Sequence, residues 1–111
     1  MRYMFLIYDD EKTSKAGEAT MMEEYGAFGQ MATEKGVIRD GNRLHPSDAA
    51  TTVRVRNGAT QTTDGPFAET KEQLGGYYIF ECKDLDEAMA YAAKVPTAKY
   101  GSIEVRPIFE M

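Results

Sequence analysis

The chain opens with an unbroken run of apolar and aromatic side chains from Tyr3 to Tyr8. A β-strand directs alternate side chains to opposite faces of its sheet. The run therefore predicts a first strand that is covered on both faces, because either face would otherwise expose apolar surface to water. One face carries Tyr3, Phe5 and Ile7, and the other carries Met4, Leu6 and Tyr8.

Helical spacing replaces this pattern further along the chain. Apolar side chains recur every three or four residues after Thr20, which predicts an amphipathic helix that ends near Gly36. Thr20 and Glu23 have the spacing of a capping box, in which each side chain accepts a hydrogen bond from the backbone amide of the other residue. The buried stripe of this helix is predicted to contain Met21, Tyr25, Phe28 and Ala32, widened by Met22 and Met31.

A second helix is predicted to begin at Asp84, which opens the N-cap sequence DLDE. Pro96 stops this helix soon after Val95, since proline cannot continue the helical hydrogen bonds. The buried stripe of the second helix is predicted to contain Leu85, Ala88, Met89 and Ala92.

The segment Thr51–Arg56 alternates between apolar and polar side chains, which is typical of a half-buried strand. Asn57-Gly58 follows it and predicts a hairpin, because both central residues of a type I′ turn need positive φ. The other strands are predicted at 59–63, 77–82 and 102–108, with a turn-rich connection at 38–50.

The order of these elements indicates one α+β domain across residues 1–111. It is a ferredoxin-like βαββαβ pattern with an extra strand in the middle hairpin. Two helices can cover only one face of such a sheet, so the apolar residues on the other face predict a homodimer that packs sheet against sheet. The loops at 9–19 and 38–50 are the alternative cover, which is less favoured because both loops are polar.

Composition restricts the classes of function. The formal charge of −5 and the lack of a Lys/Arg cluster argue against direct nucleic-acid binding. Cys82 is the one cysteine, which excludes an internal disulfide, and a single histidine with scattered acids predicts neither a metal site nor a cofactor. The apolar run at the N-terminus is too short for a signal peptide or a membrane span, so a cytoplasmic protein without membrane attachment is expected.

The segment TDGPFAETKEQLGGYYIFE, residues 63–81, concentrates unusual chemistry in one connection. Aspartate, glycine and proline are turn-forming residues, and paired glycines permit a bend or bulge before a strand. Asp64 is also a candidate proton-transfer group, although its role in the turn is the more economical interpretation. The residues predicted to shape the loop are Gly65, Pro66, Gly75 and Gly76.

Other side chains are candidates for a site at the rim of a cleft. Phe67 is not required by any turn, so it either anchors the loop or forms a pocket wall. Glu69 and His45 are candidate acid/base groups, the latter because histidine ordinarily changes charge near neutral pH. Lys71 or Arg54 can hold an anionic ligand, although exposed charges are commonly just solvated. Five tyrosines are interpreted mainly as core or interface aromatics, and some of their hydroxyls can also line the cleft: Tyr8, Tyr25, Tyr77, Tyr78 and Tyr100. Of these, Tyr8 and Tyr78 are the ligand-binding candidates.

The DGPFAETKEQLGGYY block, together with RYMFLIYDDE, EEYGAFGQM and DLDEAMAYAAKVP, resembles the YCII-related family. The resemblance covers essentially the whole chain and is strongest with the branch named for its Asp-Gly-Pro-Phe motif. It implies a ferredoxin-like subunit that dimerises into an α+β barrel with a cleft near the interface. It also implies a link with extracytoplasmic-function sigma factors and, in some relatives, a His–Asp acid/base dyad with the histidine near the start of the first helix.

This chain departs from that dyad, because EATMMEEYGAF at the start of the first helix contains no histidine. Two functions are therefore expected as alternatives. The favoured one is a homodimeric ligand-binding or regulatory module, serving a sigma-factor system. The other is a cofactor-free enzyme with lyase-like or hydrolase-like acid/base chemistry on a small polar or aromatic acid.

Overall fold

The computed structural model describes residues 1–110. Its strands are β1 (Arg2–Asp9), β2 (Ile38–Arg43), β3 (Thr51–Arg56), β4 (Ala59–Asp64), β5 (Gln73–Glu81) and β6 (Ser102–Pro107). Its helices are α1 (Ala19–Glu34) and α2 (Leu85–Ala92), and short 3₁₀ turns span Ser47–Ala49 and Pro96–Lys99.

The main sheet has the strand order β2-β5-β1-β6, and all its pairs are antiparallel. The first strand occupies a central position, as its continuous apolar run requires, with β5 and β6 on either side. Together with the two helices, this order confirms the predicted ferredoxin-like α+β fold class.

The core lies between the sheet and the helices. Tyr3, Phe5 and Ile7 face it from β1 and are almost completely buried. Phe28 of α1 stacks on Phe80 of β5 with ring centroids 5.7 Å apart. Aromatic contacts of this kind add to the free energy gained from burying apolar area.

The helix stripes are partly as predicted. Met21, Phe28 and Ala32 of α1 are buried, and so are Ala88 and Ala92 of α2. Two predicted members of the α2 stripe, Leu85 and Met89, are each 48% exposed, and Met22 of α1 is 63% exposed. The assignments of Leu85 and Met89 were wrong because α2 has only eight residues and is buried along a narrow line of alanines. The assignment of Met22 to the buried stripe of α1 was also wrong.

Helix capping also differs between the two helices. Asp84 accepts a hydrogen bond from the Glu87 amide at 2.9 Å, and Glu87 in turn accepts one from the Lys83 amide at 3.1 Å, which confirms the predicted cap of α2. The capping box predicted at Thr20 is wrong, because α1 begins at Ala19 and its N-cap makes no side-chain hydrogen bond.

Gly36 ends α1 as predicted. Its φ is +68°, its amide donates to Thr33, and the amide of Val37 donates to Ala32. These two bonds form a Schellman motif, which needs a residue in the left-handed conformation.

The segment predicted as a turn-rich connection at 38–50 contains strand β2. This edge strand pairs with β5 through its backbone, so its side chains need not be apolar, and the sequence IRDGNR shows no alternation. A Cβ atom on Gly41 would lie 2.4 Å from the Tyr78 ring, so only glycine allows β2 to pass over that ring without a shift.

The predicted hairpin forms, but outside the main sheet. β3 and β4 pair only with each other, through a turn in which Asn57 and Gly58 have φ of 52° and 76°. We call this two-stranded element, Thr51–Asp64, the arm. The extra strand relative to βαββαβ therefore does not widen the main sheet. The strand that pairs with the outer side of β5 is β2.

The second face of the main sheet has no helix. Its apolar centre comes from β1 and β5, and residues of β2 and β6 form its polar edges, since directly paired residues share a face. We call the central residues the open face: Met4, Leu6, Tyr8, Tyr77 and Ile79. The smallest dimension of the molecule is 18 Å, which accommodates one sheet and one layer of helices.

Candidate functional site

A cavity of about 510 Å³ lies where β1 and β2 end, beside the start of α1. This volume falls within the range of roughly 300–1,000 Å³ that is usual for small-molecule sites. Its apolar and aromatic walls include Ile7, Met22, Tyr25, Leu44 and Tyr78. Its polar lining includes Asp9, Glu11, Arg43, His45 and Thr97.

The loop after β1 is held in place on one side of the cavity. The apolar run ends at Asp9, whose carboxylate accepts a hydrogen bond from the Ser14 hydroxyl at 2.8 Å. Glu11 accepts bonds from both the amide and the hydroxyl of Ser47, with the amide at 2.7 Å. These contacts connect the loop before α1 with the 3₁₀ turn that follows β2.

Two hydroxyl groups meet deep in the cavity. The Tyr25 hydroxyl lies 2.6 Å from the Thr97 hydroxyl, and Thr97 is only 4% exposed. Burial raises the pKa of Tyr25, against the opposing effect of its hydrogen bond to Thr97. Burial, helped by the neighbouring Tyr25, raises the pKa of Tyr78 to about 12. Both phenols are therefore neutral hydrogen-bond donors at physiological pH.

Charged groups surround these phenols. Asp9 raises the pKa of Tyr25 and Arg43 lowers it, so both charges lie within electrostatic range of that hydroxyl. Within residues 1–110, Arg43 forms neither an ion pair nor a side-chain hydrogen bond. An unpaired guanidinium at the rim of an aromatic cavity is suited to an anionic oxygen, which it can bind in a bidentate manner.

Four residues singled out from the sequence line this cavity: His45, Tyr78, Gly75 and Gly76. The last of these allows a close approach of strands, because a Cβ atom there would lie 2.9 Å from the Asn42 carbonyl oxygen. The candidate acid/base group His45 is exposed on the chain after β2. The structure therefore brings His45 and Tyr78 to one site.

The other candidates lie outside the cavity lining. Tyr8 is on the open face, and Arg54 is exposed on the arm. Phe67 is 79% exposed in the loop after the arm, where Glu69 and Lys71 are also exposed.

The Asp-Gly-Pro-Phe corner closes the base of the arm. Asp64 pairs with Thr51 at the end of β4. The amide of Gly65, whose φ is +94°, donates to the Ala50 carbonyl at 2.7 Å, and the Thr52 hydroxyl donates to the Gly65 carbonyl at 2.9 Å. The predicted loop-shaping role of Gly65 agrees with this geometry. Of the segment 63–81, only residues from Gln73 onward line the cavity.

Several site residues received no role from the sequence, among them Asp9, Arg43 and Thr97. Tyr25 was predicted mainly as a core aromatic, and its hydroxyl was one of five that could line the cleft. Asp9 is the last residue of β1 and directly follows the apolar run Tyr3–Tyr8, so its position is visible in the sequence. The sequence around Arg43 and Thr97 gave no signal of a site. Arg43 ends strand β2 and Thr97 lies in the 3₁₀ turn after α2, and only the fold brings these two segments to one cavity.

Among residues 1–110, no group of three or more His, Cys, Asp or Glu side chains is arranged to hold a metal ion. Over the same residues, no helix is long and apolar enough to cross a membrane.

Comparison with known families matches the model of the YCII-related domain to residues 1–111. The chain belongs to the YCII-related family. This confirms the family resemblance seen in the sequence, while membership of the Asp-Gly-Pro-Phe branch stays a prediction.

Two proteins that are similar to this YCII-related chain are informative. The first is Uncharacterized protein R00369 of Rhizobium meliloti (strain 1021), 41% identical over 114 residues that cover 97% of this chain and 92% of the relative. The second is a solved structure of 5-chloro-2-hydroxyhydroquinone dehydrochlorinase (TftG) from Burkholderia phenoliruptrix AC1100 in complex with 2,5-dihydroxybenzoquinone. It has a TM-score of 0.54 and 16% identity, and the match covers 100% of this chain and 96% of that one. This second likeness establishes a shared fold.

Proposed function

We propose that this YCII-related protein is a binding or regulatory module whose cavity takes a small, planar, oxygen-rich aromatic ligand with an anionic group. The observation that carries the proposal is the unpaired Arg43 beside the Tyr25–Thr97 hydroxyl pair in an aromatic cavity of about 510 Å³. Small-molecule sites commonly combine mostly apolar walls with a few polar groups that fix orientation.

Each part of the ligand has a partner in the lining. Tyr25 and Tyr78 offer aromatic surface to the ring. Arg43 pairs with a carboxylate or phenolate oxygen, and a neutral Tyr25 donates to a second oxygen while it accepts from Thr97. The quinone bound to the dehydrochlorinase TftG belongs to the same ligand class. The likeness to TftG is a likeness of fold, and it supports the proposed ligand class only to that extent.

Binding is tested with 2,5-dihydroxybenzoquinone and 4-hydroxybenzoate by titration calorimetry. The Arg43→Gln variant is expected to weaken binding by about 10-fold or more, because a hydrogen bond to a charged group contributes roughly 1.5–3 kcal/mol. Arg39→Gln on the same strand is the control, since Arg39 bonds to the Gly36 and Ile38 carbonyls and does not line the cavity. Equal losses in the two variants, or no binding of either compound to the wild type, would contradict the proposal.

A cofactor-free acid/base enzyme is the second candidate, because His45 and Asp9 line the same cavity. In this reading the imidazole or the carboxylate transfers a proton to or from a bound aromatic acid, in lyase-like or hydrolase-like chemistry. Turnover that is lost in His45→Gln while ligand binding persists would favour the enzyme. Binding without turnover in the wild type favours the module.

The proposed setting is a cytoplasmic homodimer that is joined through the open face. Apolar side chains in the centre of that face, with polar edges, are typical of a surface that a second copy covers. The resemblance to the Asp-Gly-Pro-Phe branch supports a place in an extracytoplasmic-function sigma-factor system.

A further inference from the structure

The arm projects from the body of the molecule. The radius of gyration is 15.7 Å, compared with about 13 Å for a compact domain of roughly 100 residues. The longest dimension is 48 Å, well beyond the roughly 30 Å that a nine-residue strand such as β5 can span. Every side chain of the arm is exposed except that of Thr52, which is half-buried.

One face of the arm carries two exposed valines. Val53 and Val55 are 60% and 59% exposed, and Thr62 and Thr60 lie directly opposite them on β4. An isolated two-stranded hairpin is only marginally stable in water and gains independent stability by packing against another element. Within residues 1–110, β4 is the element that contacts β3 extensively.

The charge of the arm is opposite to that of the body. The arm contains two of the chain's 13 basic residues, Arg54 and Arg56, and one of its 18 acidic ones, Asp64. The rest of the chain is therefore more acidic than the whole, whose formal charge is −5. A basic arm and an acidic body are electrostatically complementary between two copies of the same chain.

The arm also enlarges the surface that two copies can share. One face of the arm has a projected area of roughly 200 Å². Under two-fold symmetry each copy both gives an arm and receives one, so the arms contribute to the interface twice.

We propose that the arm is a clamp for a second copy of this chain, with the Val53–Val55 face packed on the partner. Arg54 and Arg56 lie on the other face of the arm, so their positive charge acts through long-range attraction to the acidic partner. The inference rests on the proposed homodimer. It gives a role to the hairpin, which does not line the ligand cavity. The Asp-Gly-Pro-Phe corner then positions the base of an intersubunit clamp.

Site-specific photo-crosslinking tests this inference. Cys82 is 2% exposed, so Val55→Cys creates a single accessible thiol, which is labelled with 4-maleimidobenzophenone. Irradiation of the full-length protein at a concentration where ultracentrifugation shows a dimer is expected to give a covalent dimer. Mixing ¹⁵N-labelled and unlabelled chains identifies by mass spectrometry which chain carries the adduct. Thr33→Cys, exposed on α1, is the control and is expected to give monomer.

The outcomes separate the two proposals. A dimer with adducts only within one chain would overturn the clamp and leave the homodimer intact. A wild-type chain that is monomeric at every concentration would overturn both the clamp and the homodimer. A second variant, Val53→Thr with Val55→Thr, keeps β-branched residues in the arm and is expected to raise the dimer dissociation constant by about 10-fold. An unchanged dissociation constant in that variant would also overturn the clamp.

Discussion

The two tyrosines of the cavity show how the surroundings of one residue set its chemistry. Tyr25 and Tyr78 are separated along the chain but approach each other between α1 and β5, and burial raises the pKa of both hydroxyls. Neither shift is visible in the sequence, where each residue fits an ordinary apolar pattern. Both phenols are consequently available as neutral donors over a wide range of pH.

The raised pKa of Tyr78 has a consequence for stability. Its value of about 12 in the folded protein lies above the ordinary 10.0, so between these values the folded chain keeps a proton that the unfolded chain has lost. This contribution to stability is fully present below pH 10 and is lost as the pH rises toward 12. The free energy of unfolding is measured by urea denaturation from pH 8 to pH 11.5. Tyr78→Phe is expected to lose less stability above pH 10 than the wild type.

Below pH 10 the difference in stability between the wild type and Tyr78→Phe should be constant, which provides an internal control. A difference that stays constant up to pH 11.5 would show that burial does not shift the titration of this phenol.

At the scale of single elements, similar sequence signals had different outcomes. Thr20 and Asp84 both begin a recognisable capping pattern, but only Asp84 stands at the N-cap of its helix. The helix α1 starts earlier, at Ala19, where a hydrogen bond from the Met22 amide to the Glu18 carbonyl already forms its first turn. A capping motif predicts a helix start only when the chain enters the helix at that residue.

The two caps provide a matched pair of substitutions. Asp84→Ala is expected to lower the free energy of unfolding by about 1 kcal/mol, because it removes the acceptor for the Glu87 amide. Thr20→Ala is expected to change it by no more than about 0.5 kcal/mol. Urea denaturation of both variants measures the difference. A larger loss in Thr20→Ala than in Asp84→Ala would contradict the helix starts described above.

At the scale of the whole molecule, the number of layers determines which face of the main sheet is exposed to solvent. The chain has one sheet and one helical layer, so residues that are central in the sheet still have a face without a helix. Leu6 and Tyr77, paired across β1 and β5, lie in the middle of that face. Its polar edges come from Asp40 and Asn42 on one side and Glu104 and Arg106 on the other.

The proposed homodimer predicts a clear response to a charge on this face. Leu6→Lys is expected to raise the dimer dissociation constant by about 100-fold or more, since it buries an unpaired charge in an apolar interface. Sedimentation velocity across micromolar concentrations measures it. Glu34→Lys, exposed on α1, is the control and should leave the dimer intact. A wild-type chain that sediments as a compact monomer at these concentrations would contradict the homodimer.

The sequence by itself determined the elements whose signals are local. The buried strand β1, the helices α1 and α2, and the Asn57-Gly58 turn follow from periodicity, capping and φ preferences, which act over a few residues. His45 and Tyr78 were also identified as candidates on their own chemistry. The family resemblance rested on a similarly continuous stretch of residues.

Only the tertiary structure decided what depends on contacts between distant segments. β2 is an edge strand whose backbone supplies its stabilising bonds, so its side chains carry no pattern. The hairpin forms an arm because the position beside β5 is already occupied by β2. The cavity joins Asp9, Tyr25, Arg43 and Thr97, which no spacing in the sequence connects. Such a site exists only once long-range strand pairing has brought its walls together.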